Sequence, residues 1–290
     1  MSDEATVLEW SQPGDRYTDF CLWDYAPAAP TTGRLRSVNL LYDSFAAAGV
    51  AAPMRALCAA VRAAVGPFNT VWGVKVQDGR LFWELYFYDY RRQARELSIA
   101  RVLAALRPFA PCDLRLPDSR PYFMFSIDLD PALARGGRAI EGLNVYLGNV
   151  GSSVSSGISY LLTAQGLSLE NLYFFFDARR ECEDILAKVT HSAHIEPAAF
   201  DPATVLWPDL RDCTTLVVAN KRHHDGVYFT RVGVDQLIRF MGRLGYPPGM
   251  IAFVTTHRVR LDHLRFDVAF DYRMDADGLR ILKGSYYGCF

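Results

Sequence analysis

A β-hairpin followed by a helix recurs along this chain, and that repetition constrains its fold more than any other feature. Thr70–Val76, the turn Gln77-Asp78-Gly79 and Arg80–Asp89 read as the first hairpin. Tyr122–Leu129 and Arg138–Leu147 read as a second pair, with Gly136-Gly137 in the turn. Thr214–Lys221 and Val227–Val232 are joined through His224-Asp225-Gly226, and Leu264–Tyr272 and Leu279–Phe290 through Asp275-Ala276-Asp277-Gly278. Leu167–Asp177 and Met250–Arg260 are further strands, and Ser152–Thr163 suits a strand or a helix. Helical spacing predicts helices near Val38–Ala48, Met54–Val65, Glu96–Leu106, Glu181–Val189 and Val234–Leu244. Short connections favour antiparallel pairing. About ten such strands close into a barrel. The expected fold is therefore α/β in the broad sense, α+β in detail: a ten-stranded antiparallel β-barrel with a solvent-filled core inside a ring of α-helices. Residues 1–35, with Pro13, Pro27, Pro30 and Gly33, read as an N-terminal arm, and 36–290 as one barrel domain.

The two faces of the strands say what such a barrel would hold. Strand residues alternate between faces. In Arg80–Asp89, Leu81, Trp83, Leu85 and Phe87 suit a helix-covered face, whereas Phe82, Glu84, Tyr86 and Tyr88 are aromatic but polar-tipped. Elsewhere Asn171, Tyr173 and Phe175 oppose Leu172, Phe174 and Phe176, and Asn144 and Tyr146 oppose Leu143, Val145 and Leu147. Arg265, Asp267, Ala269 and Asp271 oppose Phe266, Val268 and Phe270, and Lys283 shares a face with Ser285 and Tyr287. An ordinary sheet with one solvated face is the plain alternative. Solvated faces favour Lys, Glu, Thr and Ser over repeated Tyr and Phe, so a wet, aromatic-walled ligand chamber fits these residues better.

Bulk properties exclude other classes. The formal net charge is -1, so no global basic field points to nucleic acid or to an anionic membrane surface. The six cysteines are scattered without metal-ligand or disulfide-framework spacing. The acidic start Met1-Ser2-Asp3-Glu4 lacks the apolar segment of a signal peptide, and no apolar run approaches a membrane span. A cytoplasmic location is expected, with no nucleic-acid and no membrane partner.

Four segments, in order, resemble those of the ABBA-fold (PT-barrel) prenyltransferases. They are Glu84-Leu85-Tyr86-Phe87, Met124-Phe125-Ser126-Ile127-Asp128 followed by Gly136-Gly137, Asn171-Leu172-Tyr173-Phe174, and Lys283-Gly284-Ser285-Tyr286-Tyr287. Arg231, in Tyr228-Phe229-Thr230-Arg231, falls where the family places a phosphate-binding arginine. The matches are short and degenerate; their order is the specific part. There is no DDxxD motif, so the helical isoprenoid synthases are a poor match. The resemblance implies transfer of a C5 or C10 isoprenoid from dimethylallyl or geranyl diphosphate, with no organic cofactor.

The residue types suit that chemistry. An ionising allylic diphosphate leaves an anion, which needs Lys, Arg and hydroxyl donors, and a cation, which needs aromatic walls and little water. Lys75, Arg231, Lys283, Asn171 and Arg265 are the expected diphosphate contacts. Each basic one is alternatively an ordinary lysine or a paired arginine, Arg265 with Asp267 or Asp271 as partner. Tyr146, Tyr173 and Tyr287 are expected to shield the cation; their alternative is a set of core tyrosines. Glu84 is the expected catalytic base or acceptor anchor, against a plain wall carboxylate. His223 and His224 read as residues of a solvated turn. Tyr86 stands where metal-dependent members carry a carboxylate, and Asp128 or Asp267 is its substitute, so the need for Mg2+ is open.

The chain stops at Phe290, right after the last strand, where many small-molecule members add a helix over the barrel mouth. This points to an open mouth and a peptide acceptor, as in the cyanobactin-type members. The runner-up is a small phenol or indole acceptor. A second alternative is a non-catalytic barrel for an amphipathic ligand, whose basic lumen residues would pair internally.

Overall fold

The computed structural model describes residues 8–91, 95–117 and 119–290. Ten strands form one closed barrel in which every neighbouring pair is antiparallel. They are β1 (Thr70–Gln77), β2 (Arg80–Tyr88), β3 (Met124–Leu129), β4 (Leu143–Gly148) and β5 (Ser156–Thr163), then β6 (Gly166–Asp177), β7 (Thr215–Lys221), β8 (Asp225–Val232), β9 (Phe266–Asp275) and β10 (Gly278–Cys289). Each pairs with its neighbours in sequence, and β1 pairs with β10 to close the ring. This is the expected α+β architecture, and it is compatible with the PT-barrel fold.

Local chemistry explains the hairpins. Asp78 and Gly79, both at positive φ, connect β1 to β2 in the two-residue turn that matches strand twist. Around the barrel lie α1 (Val38–Ala47), α2 (Ala51–Val65), α3 (Ile99–Leu106), α4 (Pro131–Ala134), α5 (Cys182–Thr190), α6 (Val234–Arg243), α7 (Pro248–Thr256) and α8 (Arg258–Leu261). In α2 the buried residues Met54, Leu57, Cys58, Val61 and Val65 recur at helical spacing. The main core lies between helices and barrel, where Leu81, Trp83, Leu85 and Phe87 of β2 point outward into it. Val71, Tyr88, Tyr146, Tyr228 and Tyr287 form a separate inner cluster, so the two faces divide as the alternation predicts.

Two expectations change. Met250–Arg260 is not a strand but α7 followed by α8. Its β-branched and aromatic residues suggest a strand, but Pro247 and Pro248 open a helix there, and Met250 and Val254 are buried one turn apart. The tenth strand is instead β5, which resolves Ser152–Thr163. Helix α4 also takes up part of the second hairpin's turn, so β4 begins only at Leu143. Residues 149–155, between β4 and β5, contain no helix, and Leu167, Leu169 and Leu172 of β6 remain exposed.

Described residues of the arm carry no regular element beyond the isolated bridges Trp10–Leu35 and Thr18–Asp24. No helix among the described residues is long and apolar enough to cross a membrane, and all six cysteines are free.

Candidate functional site

The lumen has two tiers. Toward one end, Lys75, Glu84, Asp128, Asn144, Asn171, Lys221, His224, Asp271 and Lys283 surround a polar cavity of about 210 Å3. Toward the other end, Phe20, Tyr88, Phe123, Met124 and Phe175 help line a smaller, apolar cavity of about 80 Å3. Five tyrosines, Tyr86, Tyr146, Tyr173, Tyr228 and Tyr287, line both cavities and mark the boundary.

These tyrosines form a belt. Ring centroids are 5.9 Å apart for Tyr86–Tyr287, 6.3 Å for Tyr287–Tyr228, 6.1 Å for Tyr228–Tyr173 and 6.0 Å for Tyr173–Tyr146. The remaining gap is bridged by polar groups. Tyr86 donates to Glu84 Oε2 at 2.5 Å, Ser126 donates to Glu84 Oε1, and Ser126 and Tyr146 hydroxyls lie 3.4 Å apart. Gly73 makes room for the belt: a Cβ there would lie 2.9 Å from Tyr287 Cε1. Burial holds the hydroxyl pKa values of Tyr86, Tyr146 and Tyr228 well above the ordinary tyrosine value, so these three stay protonated and can donate.

In the polar tier each lysine has a carboxylate partner. Lys75 binds Glu84 and, at 2.7 Å, Asp128. Lys221 and Lys283 converge on Asp271 at 2.7 Å and 2.9 Å, and His224 Nε2 approaches the same carboxylate at 3.1 Å. Asp271 fits beside Lys221 because residue 226 is glycine; a Cβ on Gly226 would stand 2.7 Å from Asp271 Oδ1. Burial opposes the charge of all three lysines. For Lys75 the neighbouring Asp128 and Glu84 outweigh it and raise the pKa well above the lysine value; Asp271 does the same for Lys221. Lys283 differs: burial outweighs Asp271, nearby Lys221 and Lys75 add to it, and its pKa falls. Asp271 is held well below the carboxylate range, because Lys221, Lys283 and His224 overcome its desolvation.

The expected site residues therefore separate into two groups. Lys75, Glu84, Asn171, Lys283, Tyr146, Tyr173 and Tyr287 come together in the lumen. Arg231 and Arg265 do not; they line a separate cleft with Arg179, Asp212 and Gln236. Arg231 sits in a bulge between Phe229 and Val232, at φ 59°, and its guanidinium binds Asp19 of the arm at 2.8 Å. Arg265 precedes β9, and its N–H meets the Tyr25 hydroxyl at 2.9 Å. It pairs with neither Asp267 nor Asp271: Asp267 accepts the N–H groups of Phe20 and Arg231, and Asp271 serves the lysines.

Sequence reasoning missed Lys221, and it read His224 as solvated although it reaches Asp271. The signal for Lys221 was its parity with Ala219 and Val217, both on the inner face of β7. Asp128 does reach the lumen, bonded to Lys75 and, at 3.1 Å, to Asn144. Asp267 does not. Among the described residues no group of three His, Cys, Asp or Glu side chains is arranged to hold a metal ion.

The site is a water-accessible cluster of ammonium groups facing a belt of hydroxyl-tipped aromatic rings with an apolar space behind it. Such a site can hold an oxyanion at one level and a cation or aromatic ring at the next. No protein-family model matches this chain, and no curated protein matches it.

Proposed function

We propose that the barrel is a prenyltransferase in which an allylic diphosphate lies with its anion in the polar tier and its allyl group at the tyrosine belt. The observation that carries this reading is the convergence of Lys75, Lys221 and Lys283 on one cavity directly against five tyrosines. On ionisation, the allylic C–O bond breaks and its electron pair leaves with the diphosphate. Lysine and tyrosine donors stabilise that leaving group. The belt stabilises the cation by roughly 0.5–2 kcal/mol per well-placed ring. An electron-rich side chain of a peptide natural product supplies the electron pair for the new bond and then loses a proton. Glu84, Asp128, Asp271 and His224 all line that tier, and we assign the proton to Glu84 or His224. Glu84 is already bonded to Lys75, Tyr86 and Ser126, which favours a positioning role for it. A C5 or C10 donor and a peptide acceptor form the primary reading, with a small aromatic acceptor as the runner-up. Both acids next to Lys75 are bonded to its ammonium, so the chain's own residues do not fit a protein-held Mg2+ at that point.

A specific observation favours a second reading. Lys75, Lys221 and Lys283 face Glu84, Asp128 and Asp271, three charges against three, and every lysine is paired. A non-catalytic barrel for an amphipathic ligand predicts this internal neutralisation. Incubation with dimethylallyl or geranyl diphosphate, with and without candidate peptides, separates the two. Pyrophosphate release that depends on Lys283 and Lys221 supports transfer. Absence of any diphosphate binding sinks it and leaves the ligand-binding barrel.

A further inference from the structure

The apolar end of the lumen is occupied by the chain's own arm. Residues 19–23 form a tight turn: Asp19 Oδ1 accepts the N–H groups of Cys21 and Trp23, each at 3.0 Å, and Leu22 takes a positive φ of 57°. The turn directs the Phe20 ring inward, where it stacks on Tyr228 with centroids 6.0 Å apart and 11° between planes. The same ring lies 6.0 Å from Tyr287. Phe20 thus reaches the tyrosine belt from the side opposite the lysines.

How the barrel holds this turn is informative. Asp267 accepts the Phe20 N–H at 2.7 Å, the Tyr88 hydroxyl donates to the Phe20 carbonyl, and Tyr90 donates to the Cys21 carbonyl at 2.9 Å. All three contacts are to main-chain atoms, which any peptide offers. The arm's side chains add the Arg231–Asp19 ion pair, the Phe20 ring, and apolar packing of Leu22 and Cys21. Such a mouth recognises a peptide turn in which an acidic residue precedes an aromatic one.

We propose that this end of the barrel is a peptide-binding mouth, and that residues 19–23 are a built-in competitor that an incoming peptide of the same chemistry displaces. The incoming aromatic side chain takes the place of Phe20 at the belt. Calling that peptide the acceptor rests on the transfer reading above; the mouth itself does not.

The test uses the full chain and a capped synthetic peptide with the arm's own sequence, Thr-Asp-Phe-Cys-Leu-Trp. Asp19→Ala removes the arm's ion pair and its turn bonds. It is expected to bind the peptide about tenfold more tightly than wild type, the scale of one charge-assisted bond. Adding Tyr88→Phe and Tyr90→Phe to that variant is expected to reverse the gain. Equal affinity of wild type and Asp19→Ala, or no binding to either, overturns the proposal. Phe20→Ala gives a second route that leaves every arm main-chain bond in place. Indole is expected to bind it and not wild type; equal indole binding by both also overturns the proposal. Neither assay contains an allylic diphosphate. Failure here with pyrophosphate release intact removes the mouth alone, and the converse removes the transfer reading alone.

Discussion

Lys283 and Asp271 face each other as register partners of β10 and β9, with the ammonium 2.9 Å from the carboxylate. The same carboxylate holds Lys221 from β7. One buried acid therefore restrains two of the three lysines that would receive a diphosphate. An anion that enters the tier competes with Asp271 for both.

Asp271→Asn removes that competitor. Titration with inorganic diphosphate is expected to show several-fold tighter binding than wild type, because two ammonium groups are released. The same substitution leaves Lys221 without its partner, and breaking a buried pair costs about 3–5 kcal/mol. A chemical denaturation midpoint that drops while diphosphate affinity rises is the expected signature. Weaker diphosphate binding at retained fold contradicts it.

Lys221→Ala and Lys283→Ala act in the opposite direction. Each deletes one charge-assisted contact of about 1.5–3 kcal/mol, or roughly 10- to 100-fold in diphosphate affinity. Arg231→Ala, by contrast, is expected to leave diphosphate affinity within a few-fold of wild type, since its guanidinium serves Asp19. Calorimetric titration of the three variants checks the ranking. A large effect of Arg231→Ala on diphosphate binding would put the anion in the wrong cavity.

Gly73→Ala probes the belt without touching charge. The new methyl would lie 2.9 Å from Tyr287 Cε1, so that ring must shift. Overpacking of this kind costs about 1–3 kcal/mol. The midpoint of thermal unfolding is expected to fall, together with a change in near-UV dichroism from the tyrosines. Gly79→Ala is a control in open space, although its φ of 71° strains any side chain there.

The polar tier also predicts a pH profile. Asp271 has a folded pKa far below the ordinary value, so its stabilisation is full above the unfolded pKa of about 3.9 and is lost as pH falls toward the folded one. Lys75 has a raised folded pKa, so its contribution is full below about 10.4 and is lost as pH rises through the higher value. Urea midpoints are expected to be flat in this respect between those limits. Asp271→Asn should weaken the acid limb and Lys75→Met the alkaline one; unchanged limbs in both variants contradict the assignment.

Much of the barrel was legible because alternation is a strong signal in long strands. Glu84, Tyr86 and Tyr88 on one face of β2, with Trp83 and Phe87 on the other, already separate lumen from core. The failures have local causes. Arg231 reads as a strand residue, but the bulge at Phe229–Val232 breaks the alternation, and nothing in the sequence marks it. Lys221 and His224 lie near a hairpin end, and only the register that sets Asp271 against Gly226 brings them into the tier. Met250–Arg260 has strand composition, yet the Pro247-Pro248 start was a readable helix signal. Phe20 gave no warning, because an arm without periodicity does not reveal which ring it buries.

Whether the three lysines hold an allylic diphosphate against the tyrosine belt is decided by incubating wild type and the Lys221→Ala/Lys283→Ala double variant with dimethylallyl and geranyl diphosphate and measuring both binding and pyrophosphate release. Wild type is expected to bind, and to release pyrophosphate when a peptide with an electron-rich aromatic side chain is present; the folded double variant is expected to lose both. Binding and release that survive in the double variant, or no diphosphate binding by wild type at all, would contradict this placement of the diphosphate.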